Sequence, residues 1–324
     1  MVKIVIDTLG SDKGPEVLTL GAYNALQEFP ELFVTLVGPE SVIKNKLNEL
    51  NADFSRVKII NAEDTITNYD HPVKALFEKP NASIVQAMKE VGKDDEDYIG
   101  MISAGSTGAV LMGSFRFLSL DGKTRPCLAA TLPNEKGTLT CLVDAGATID
   151  ATSGQLHEFA RLGRDLMKQL YQIENPTIGL LSNGAEPTKG NALVKETHEL
   201  LANDKSLNFV GNFEGTTALS GGCDVLVADG FAGNLVLKVS EGMAKRIMHD
   251  IGRFYKQTGN PAYGQLLQHL MGIYDFNSLG GGVVLGTKKL VIKAHGASDE
   301  KSIVGTSRML VNAASGKAFL KQGE

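Results

Sequence analysis

Ser103-Ala104-Gly105-Ser106-Thr107-Gly108-Ala109 lies between two apolar runs, and its reading decides the fold. Ahead of it, Tyr98-Ile99-Gly100-Met101-Ile102 has the length and bulk of a buried strand; behind it, Ala109 to Leu118 continues as an apolar helix. Small residues fill the junction. A strand–glycine loop–helix unit leaves backbone N–H groups open at the helix start, where an anion can bind. Glycine lets the backbone approach that anion closely. Ser106 or Thr107 can cap the helix and also donate to a phosphate oxygen. An ordinary tight turn with a plain cap reads equally well from this stretch alone.

Outward from this unit, short apolar strands alternate with longer amphipathic segments. Val2–Ile6, Phe33–Val37, Val57–Ile60, Tyr98–Ile102, Cys127–Leu132, Leu139–Val143, Thr177–Leu181, Asn208–Val210, Val225–Ala228 and Leu290–Ala294 read as strands. Helical patterns cover Glu16–Phe29, Glu40–Leu50, Ala82–Val91, Gly154–Tyr171, Asn191–Asn203, Leu235–Tyr255 and Glu300–Leu320. The alternation predicts an α/β fold with a largely parallel sheet covered on both faces. Cys127–Leu132 and Leu139–Val143 stand too close for a helical crossover, so a hairpin is expected there. Gly280-Gly281-Gly282 reads as a turn or a close backbone approach. Without a linker or an internal repeat, the 324 residues read as one domain, 1–324.

Net charge is −5, which argues against a nucleic-acid-binding body, and aromatics at 6% with no Trp argue against base stacking. Cys127, Cys141 and Cys223 are odd in number and widely spaced, as expected of small buried hydrophobes in a reducing compartment. The chain opens on a strand without a signal-peptide layout, and no run of about 18 apolar residues is present, so a cytoplasmic protein is expected. Gly122-Lys123-Thr124 resembles the tail of a P-loop, but Phe117 stands where the first glycine belongs. There is no Gly-x-Gly-x-x-Gly, no His-Glu-x-x-His and no Gly-x-Ser-x-Gly. No metal and no cofactor are expected.

Ligands of open α/β sheets bind at the carboxyl ends of strands. Six strand ends here carry Gly beside Asp, Asn, Ser, Lys or His: Asp7 to Asp12, Ser103 to Ala109, Asp144 to Ala147, Ser182 to Asn191, Asp229 to Asn234 and Lys293 to Ser298. Six such loops predict a shared polar cleft with several helix N-termini aimed into it.

At these loops the chain resembles the bacterial phosphate acyltransferase family, the acyl-acyl carrier protein:phosphate transacylases of phospholipid synthesis. The likeness runs end to end. It rests on Asp7 to Asp12, Ser103 to Ala109, Arg125-Pro126 with Thr131-Leu132-Pro133, Asp144 to Ala147 with Asp150, Gly184 to Asn191, Asp229 to Lys238, and Lys293-Ala294-His295-Gly296. Ser11, Thr148 and Ser182 depart from the family pattern. The resemblance implies a three-layer α/β/α sandwich like that of isocitrate and isopropylmalate dehydrogenases, shared with phosphotransacetylases. It also implies a homodimer, peripheral at the inner face of the cell membrane, that turns an acyl-carrier-protein thioester and inorganic phosphate into acyl phosphate. A phosphotransacetylase-like enzyme using short acyl-CoA is the alternative.

For that chemistry the Gly105, Ser106, Thr107 and Gly108 segment is the expected phosphate cradle. Lys189 is a candidate to neutralise phosphate or the developing oxyanion, against the commoner fate of a solvated lysine. Lys293 and His295 flank the last loop, and His295 can protonate the departing thiolate or simply position a neighbour. Asn191 and Asn234 can donate to the carbonyl oxygen or cap helices. Asp7, Asp12, Asp144 and Asp229 are acidic neighbours of an anion site, so they are expected to orient loop amides or hold lysines.

Between residues 235 and 275 the pattern points outward to partners. Val236, Val239, Met243, Ile247, Ile251 and Phe254 share one helical side, while Lys245, Arg246 and Arg253 cluster opposite with Lys238, His249 and Lys256. That basic stripe is a candidate docking face for acidic carrier protein, or a routine solvated face. After Gly259-Asn260-Pro261, the residues Tyr263, Leu266, Leu267, Leu270, Met271 and Tyr274 form a second apolar face, suited to dimer packing or to the membrane interface.

Overall fold

The computed structural model describes residues 1–94, 96–274 and 281–316. Gly280 of the triple glycine, residue 275 of the 235–275 segment and residues 317–320 of the expected last helix lie outside the described residues.

In chain order the elements are β1 (Val2–Asp7), α1 (Pro15–Glu28), β2 (Leu32–Gly38), α2 (Glu40–Glu49), β3 (Val57–Asn61), α3 (Pro72–Glu78), α4 (Ser83–Val91), β4 (Tyr98–Ser103), α5 (Thr107–Leu118) and β5 (Cys127–Pro133). They continue with β6 (Leu139–Val143), α6 (Ser153–Tyr171), β7 (Thr177–Leu181), α7 (Ala192–Asn203), β8 (Asn208–Phe213), β9 (Val225–Val227), α8 (Gly230–Thr258), α9 (Pro261–Ile273), β10 (Gly282–Leu285), β11 (Leu290–Lys293) and α10 (Glu300–Ala314). The described residues fall into two units, 1–129 (less 95) with 169–172 and 281–316, and 130–168 with 173–274.

In the first unit the strand order is β3-β2-β1-β4-β11-β10-β5. β1, β2, β3, β4 and β11 run parallel, and β10 is antiparallel to both its neighbours. Ile4, Ile6, Leu36, Met101, Ile102 and Ile292 are fully buried, so these strands are apolar at nearly every position. Two helix pairs, α1 with α10 and α4 with α5, pack on the strands. At Gly21 of α1 a Cβ would stand 2.7 Å from the Cβ of Ile303, so glycine sets the α1–α10 spacing. The chain leaves β1 toward β2 and β3 on one side and returns at β4 on the other. The loops after β1 and β4 therefore emerge at a topological switch point.

In the second unit the order is β5-β6-β9-β7-β8, with β6, β9, β7 and β8 parallel. β5 and β6 form the expected hairpin: the Asn134 N–H donates to the Thr138 carbonyl at 3.0 Å, and Gly137 takes the left-handed conformation at φ 75°. α6 lies directly on the sheet, where a Cβ at Gly163 would meet Val225 at 2.7 Å. Cys127, Cys141 and Cys223 are buried and form no disulfide, as expected of small hydrophobes.

α8 has 29 residues, which at 1.5 Å per residue gives a rod of about 43 Å. Only Gly230, Gly233 and Ala244 of it are buried, and no residue of α9 is. The two helices pack on one another, with the Phe254 and Tyr263 rings 6.2 Å apart. Leu235, Val239, Met243, Ile247 and Phe254 remain about half exposed or more.

Candidate active site

In the first unit, strand register brings three of the quoted loops together. Asp7 pairs with Ser103 across β1 and β4, and Lys293 pairs with Ser103 across β11 and β4, so all three strands end level. The Ser103 hydroxyl donates to Oδ2 of Asp7 at 2.7 Å and accepts from the Gly105 N–H at 3.1 Å. The Leu9 N–H donates to Oδ1 of Asp7 at 3.2 Å. Burial pushes the Asp7 carboxyl up to about 6, against hydrogen bonds from Ser83, Ser103 and Leu9 and the charge of Lys293, which hold it down. Gly10, at φ 84°, rests against Gly105: a Cβ there would stand 2.6 Å from the Gly105 Cα. Backbone from two loops meets here with no side chain between.

Ser106 is the N-cap residue of α5, and its hydroxyl makes no capping bond. The first-turn amides of a helix have no intrahelical partner. Segment 105–108 thus has an anion cradle's shape, with one hydroxyl not spent on the cap. Gly108 packs on α3, where a Cβ would meet Pro72 at 2.6 Å. The Asp12 N–H donates to the Gly296 carbonyl at 2.9 Å, and the Ser11 hydroxyl donates to the same oxygen at 3.2 Å. The Ala297 N–H donates to Nδ1 of His295 at 3.2 Å, so the neutral ring carries its proton on Nε2. The Lys293 ammonium donates to the Ala294 carbonyl.

In the second unit, Val143, Val227 and Leu180 stand in one register, so the loops after β6, β9 and β7 leave from one sheet edge. Asp144 is fully buried and accepts from the N–H groups of Gly146, Ala147 and Thr148, at 2.6–3.1 Å. This is the amide-orienting role expected of the aspartates. Asp229 caps α8 by accepting from the Ala232 N–H at 2.8 Å. The Asn234 side-chain amide donates to the Ala145 carbonyl at 3.2 Å. At Gly233 a Cβ would fall 1.9 Å from the Asp144 carbonyl oxygen, so the first turn of α8 and the Asp144 loop touch backbone to backbone.

The loop after β7 carries Lys189, whose stem crosses Gly184, where a Cβ would lie 2.5 Å from the lysine Cγ. Asn183 accepts from the Gly190 N–H at 2.8 Å, and Asn191 caps α7 through the Val194 N–H at 2.9 Å. Three residues that the sequence reading passed over support these loops. Ser83 hydrogen-bonds Asp7. His198 Nδ1 meets the side-chain oxygen Oδ1 of Asn212 at 2.9 Å, and the Asn212 side-chain amide donates to the Glu186 carbonyl at 3.0 Å. For Ser83, the only sequence signal is its place at the start of a helical pattern. His198 and Asn212 gave none.

On α8, Arg246 pairs with Asp250 at 2.8 Å and Arg253 with the same carboxylate at 3.5 Å, which lowers the charge of the basic stripe. Lys238 pairs with Glu241 at 2.9 Å. Among the described residues, no group of three or more His, Cys, Asp or Glu could hold a metal ion, and no helix is long and apolar enough to cross a membrane.

Glycine-edged loops at the carboxyl ends of parallel strands, one of them ordered by a buried carboxylate, place this chain in the class of α/β proteins that take ligands at strand ends. The comparisons give the class its family. The family model described as fatty acid synthesis protein matches residues 2–317. The phosphate acyltransferase of Streptococcus sanguinis is 39% identical over 320 residues, 96% of this chain and 94% of that one. The phosphate acyltransferase of Clostridium perfringens is 36% identical over 313 residues, 95% and 91% of the two chains. A phosphotransacetylase from Streptococcus pyogenes shares the fold at a TM-score of 0.63 and 17% identity, over 97% and 94% of the chains. The chain belongs to the phosphate acyltransferase family, and it is an acyltransferase.

Proposed function

We propose that this enzyme makes acyl phosphate from an acyl-acyl carrier protein and inorganic phosphate, feeding phospholipid synthesis. The observation that carries the reading is the uncapped start of α5, held by the Asp7–Ser103–Gly105 bonds at the β1–β4 switch point.

Inorganic phosphate is substantially dianionic near neutral pH, with a second pKa of about 6. It needs no strong base to act as a nucleophile, but it needs positioning and relief of its charge. The amides of 105–108 and the hydroxyls of Ser106 and Thr107 hold it, and Lys293 offsets its charge. One phosphate oxygen attacks the thioester carbonyl carbon. A C–O bond forms, the C–S bond breaks, and the electron pair leaves on sulfur. The thiolate takes a proton from water, and the Nε2–H of neutral His295 serves as a positioning donor. Asp7 orders the Gly105 turn through Ser103, and the Asp12 N–H ties down the Gly296 carbonyl. In the second unit, Asn191 and Asp229 are spent on caps, and the Asn234 amide donates to the Ala145 carbonyl.

The exposed Leu235 and Val239 ridge of α8, with the exposed Leu266 and Met271 of α9, supports a homodimer seated on it. Lys245, Arg246 and Arg253 form the docking stripe for the carrier protein, and the α9 tip supports peripheral contact with the inner face of the membrane. The test is incubation with long-chain acyl carrier protein and phosphate, trapping acyl phosphate with hydroxylamine. Hydroxamate that depends on both substrates is expected. Turnover of acetyl-CoA alone overturns the reading in favour of a short-chain phosphotransacetylase.

A further inference from the structure

Within the second unit, α8 and α9 form an open cavity of about 300 Å³ together with the end of β5. Leu132 and Pro133 line it from β5, Met243, Ile247 and Met248 from α8, and Leu270 from α9. Among the described residues no charged side chain lines it, and Ser240 and Tyr274 supply its hydroxyls. Met243 and Ile247 are about half exposed. Apolar walls of this kind favour an occupant that removes them from water.

We infer that this cavity binds the hydrocarbon tail of the acyl substrate. The inference rests on the proposed acyl transfer and names the part of the substrate that the cavity takes. Three observations choose a tail over other occupants. The volume lies at the small end of ligand pockets, room for a flexible chain and not for a protein surface. Two of the lining side chains are methionines, whose unbranched stems repack around chains of differing shape. The cavity also starts near the loops of its own unit: Ser240 lies six residues past Asn234 on α8, about 9 Å at the helical rise. A second copy seated on α8 would cover the exposed ridge of Val239 and Leu235, but it fills a concavity only by inserting a side chain.

The test is the ratio of kcat/KM for a palmitoyl thioester to that for a butyryl thioester. Ala244→Phe sets a ring into the cavity and should lower the ratio about tenfold or more. Met248→Ala, which opens space without a clash, should move the ratio too, so a misfolded first variant does not end the test. A diazirine fatty acid should label the peptide holding Met243 and Met248 in the wild-type enzyme and not in Ala244→Phe. An unchanged ratio in both variants, with labelling elsewhere, overturns the inference. If Ala244→Phe splits an oligomer in sedimentation and leaves the ratio alone, the cavity belongs to a subunit contact and the inference also falls. If neither thioester yields acyl phosphate, the proposed function fails, and the labelling alone decides the cavity.

Discussion

Ser103 donates its hydroxyl to the buried carboxylate of Asp7 at 2.7 Å, tying the ends of two neighbouring parallel strands. The same hydroxyl accepts from Gly105, so the carboxylate acts on the anion cradle through one intermediary. Its lone pairs are spent on protein donors, so the proposed phosphate site at 105–108 can lie beside this charge.

Asp7 titrates in the fold at about 6, above its ordinary 3.8, because burial disfavours the anion. A carboxyl raised in this way binds its proton more tightly folded than unfolded. Its contribution to stability is full below pH 4 and is lost as pH rises through 6. Asp7→Asn removes that dependence. Urea unfolding should show the variant gaining on the wild type between pH 4 and pH 7, by up to about 3 kcal/mol. A constant difference across that window contradicts the assignment.

Gly10→Ala should cost about 1–3 kcal/mol, since φ 84° is strained for alanine and the new methyl meets the Gly105 backbone. If segment 105–108 holds phosphate as proposed, KM for phosphate should rise more than KM for the acyl donor. Equal changes in the two constants would place the cradle elsewhere.

Charge reversal at Arg246 and Arg253 frees Asp250 and turns the stripe acidic. At low salt, kcat/KM for an acyl-carrier-protein substrate should fall roughly tenfold, and that for a small acyl thioester should hold. Parallel losses on both substrates sink carrier docking at this stripe.

Leu266→Glu with Met271→Glu separates the two uses of the α9 face, since both side chains are exposed. Loss of liposome binding with sedimentation unchanged is the result expected of a membrane tip. Dissociation to monomers assigns the face to the dimer.

Hydrophobic periodicity located the strands of the parallel sheet because each is apolar at successive positions and bounded by polar turns. β10 escaped it. Gly282-Val283-Val284-Leu285 is only four residues long, sits next to glycines, and is a strand because β11 and β5 flank it on both sides. α3 escaped too, being seven residues opened by Pro72. In the site, Asn191 was legible as a cap because capping is local in sequence, whereas Asn234, the other residue read as a possible cap, lies inside α8, which Asp229 caps. The donation of Asn234 to Ala145 spans 89 residues and Ser103 to Asp7 spans 96, and no local pattern encodes such partners. Motif likeness found the residues, and only coordinates assign the bonds.

The absent side chain at Gly233 gives α8 an uneven tolerance to change. Where the helix leaves the sheet it has no clearance, so a single methyl there would drive into the oxygen of Asp144. Far along the rod, the same insertion meets water or a partner. Random mutagenesis of this one helix should therefore yield a gradient, with inactive variants crowded at its root and changed partner preference toward its free end.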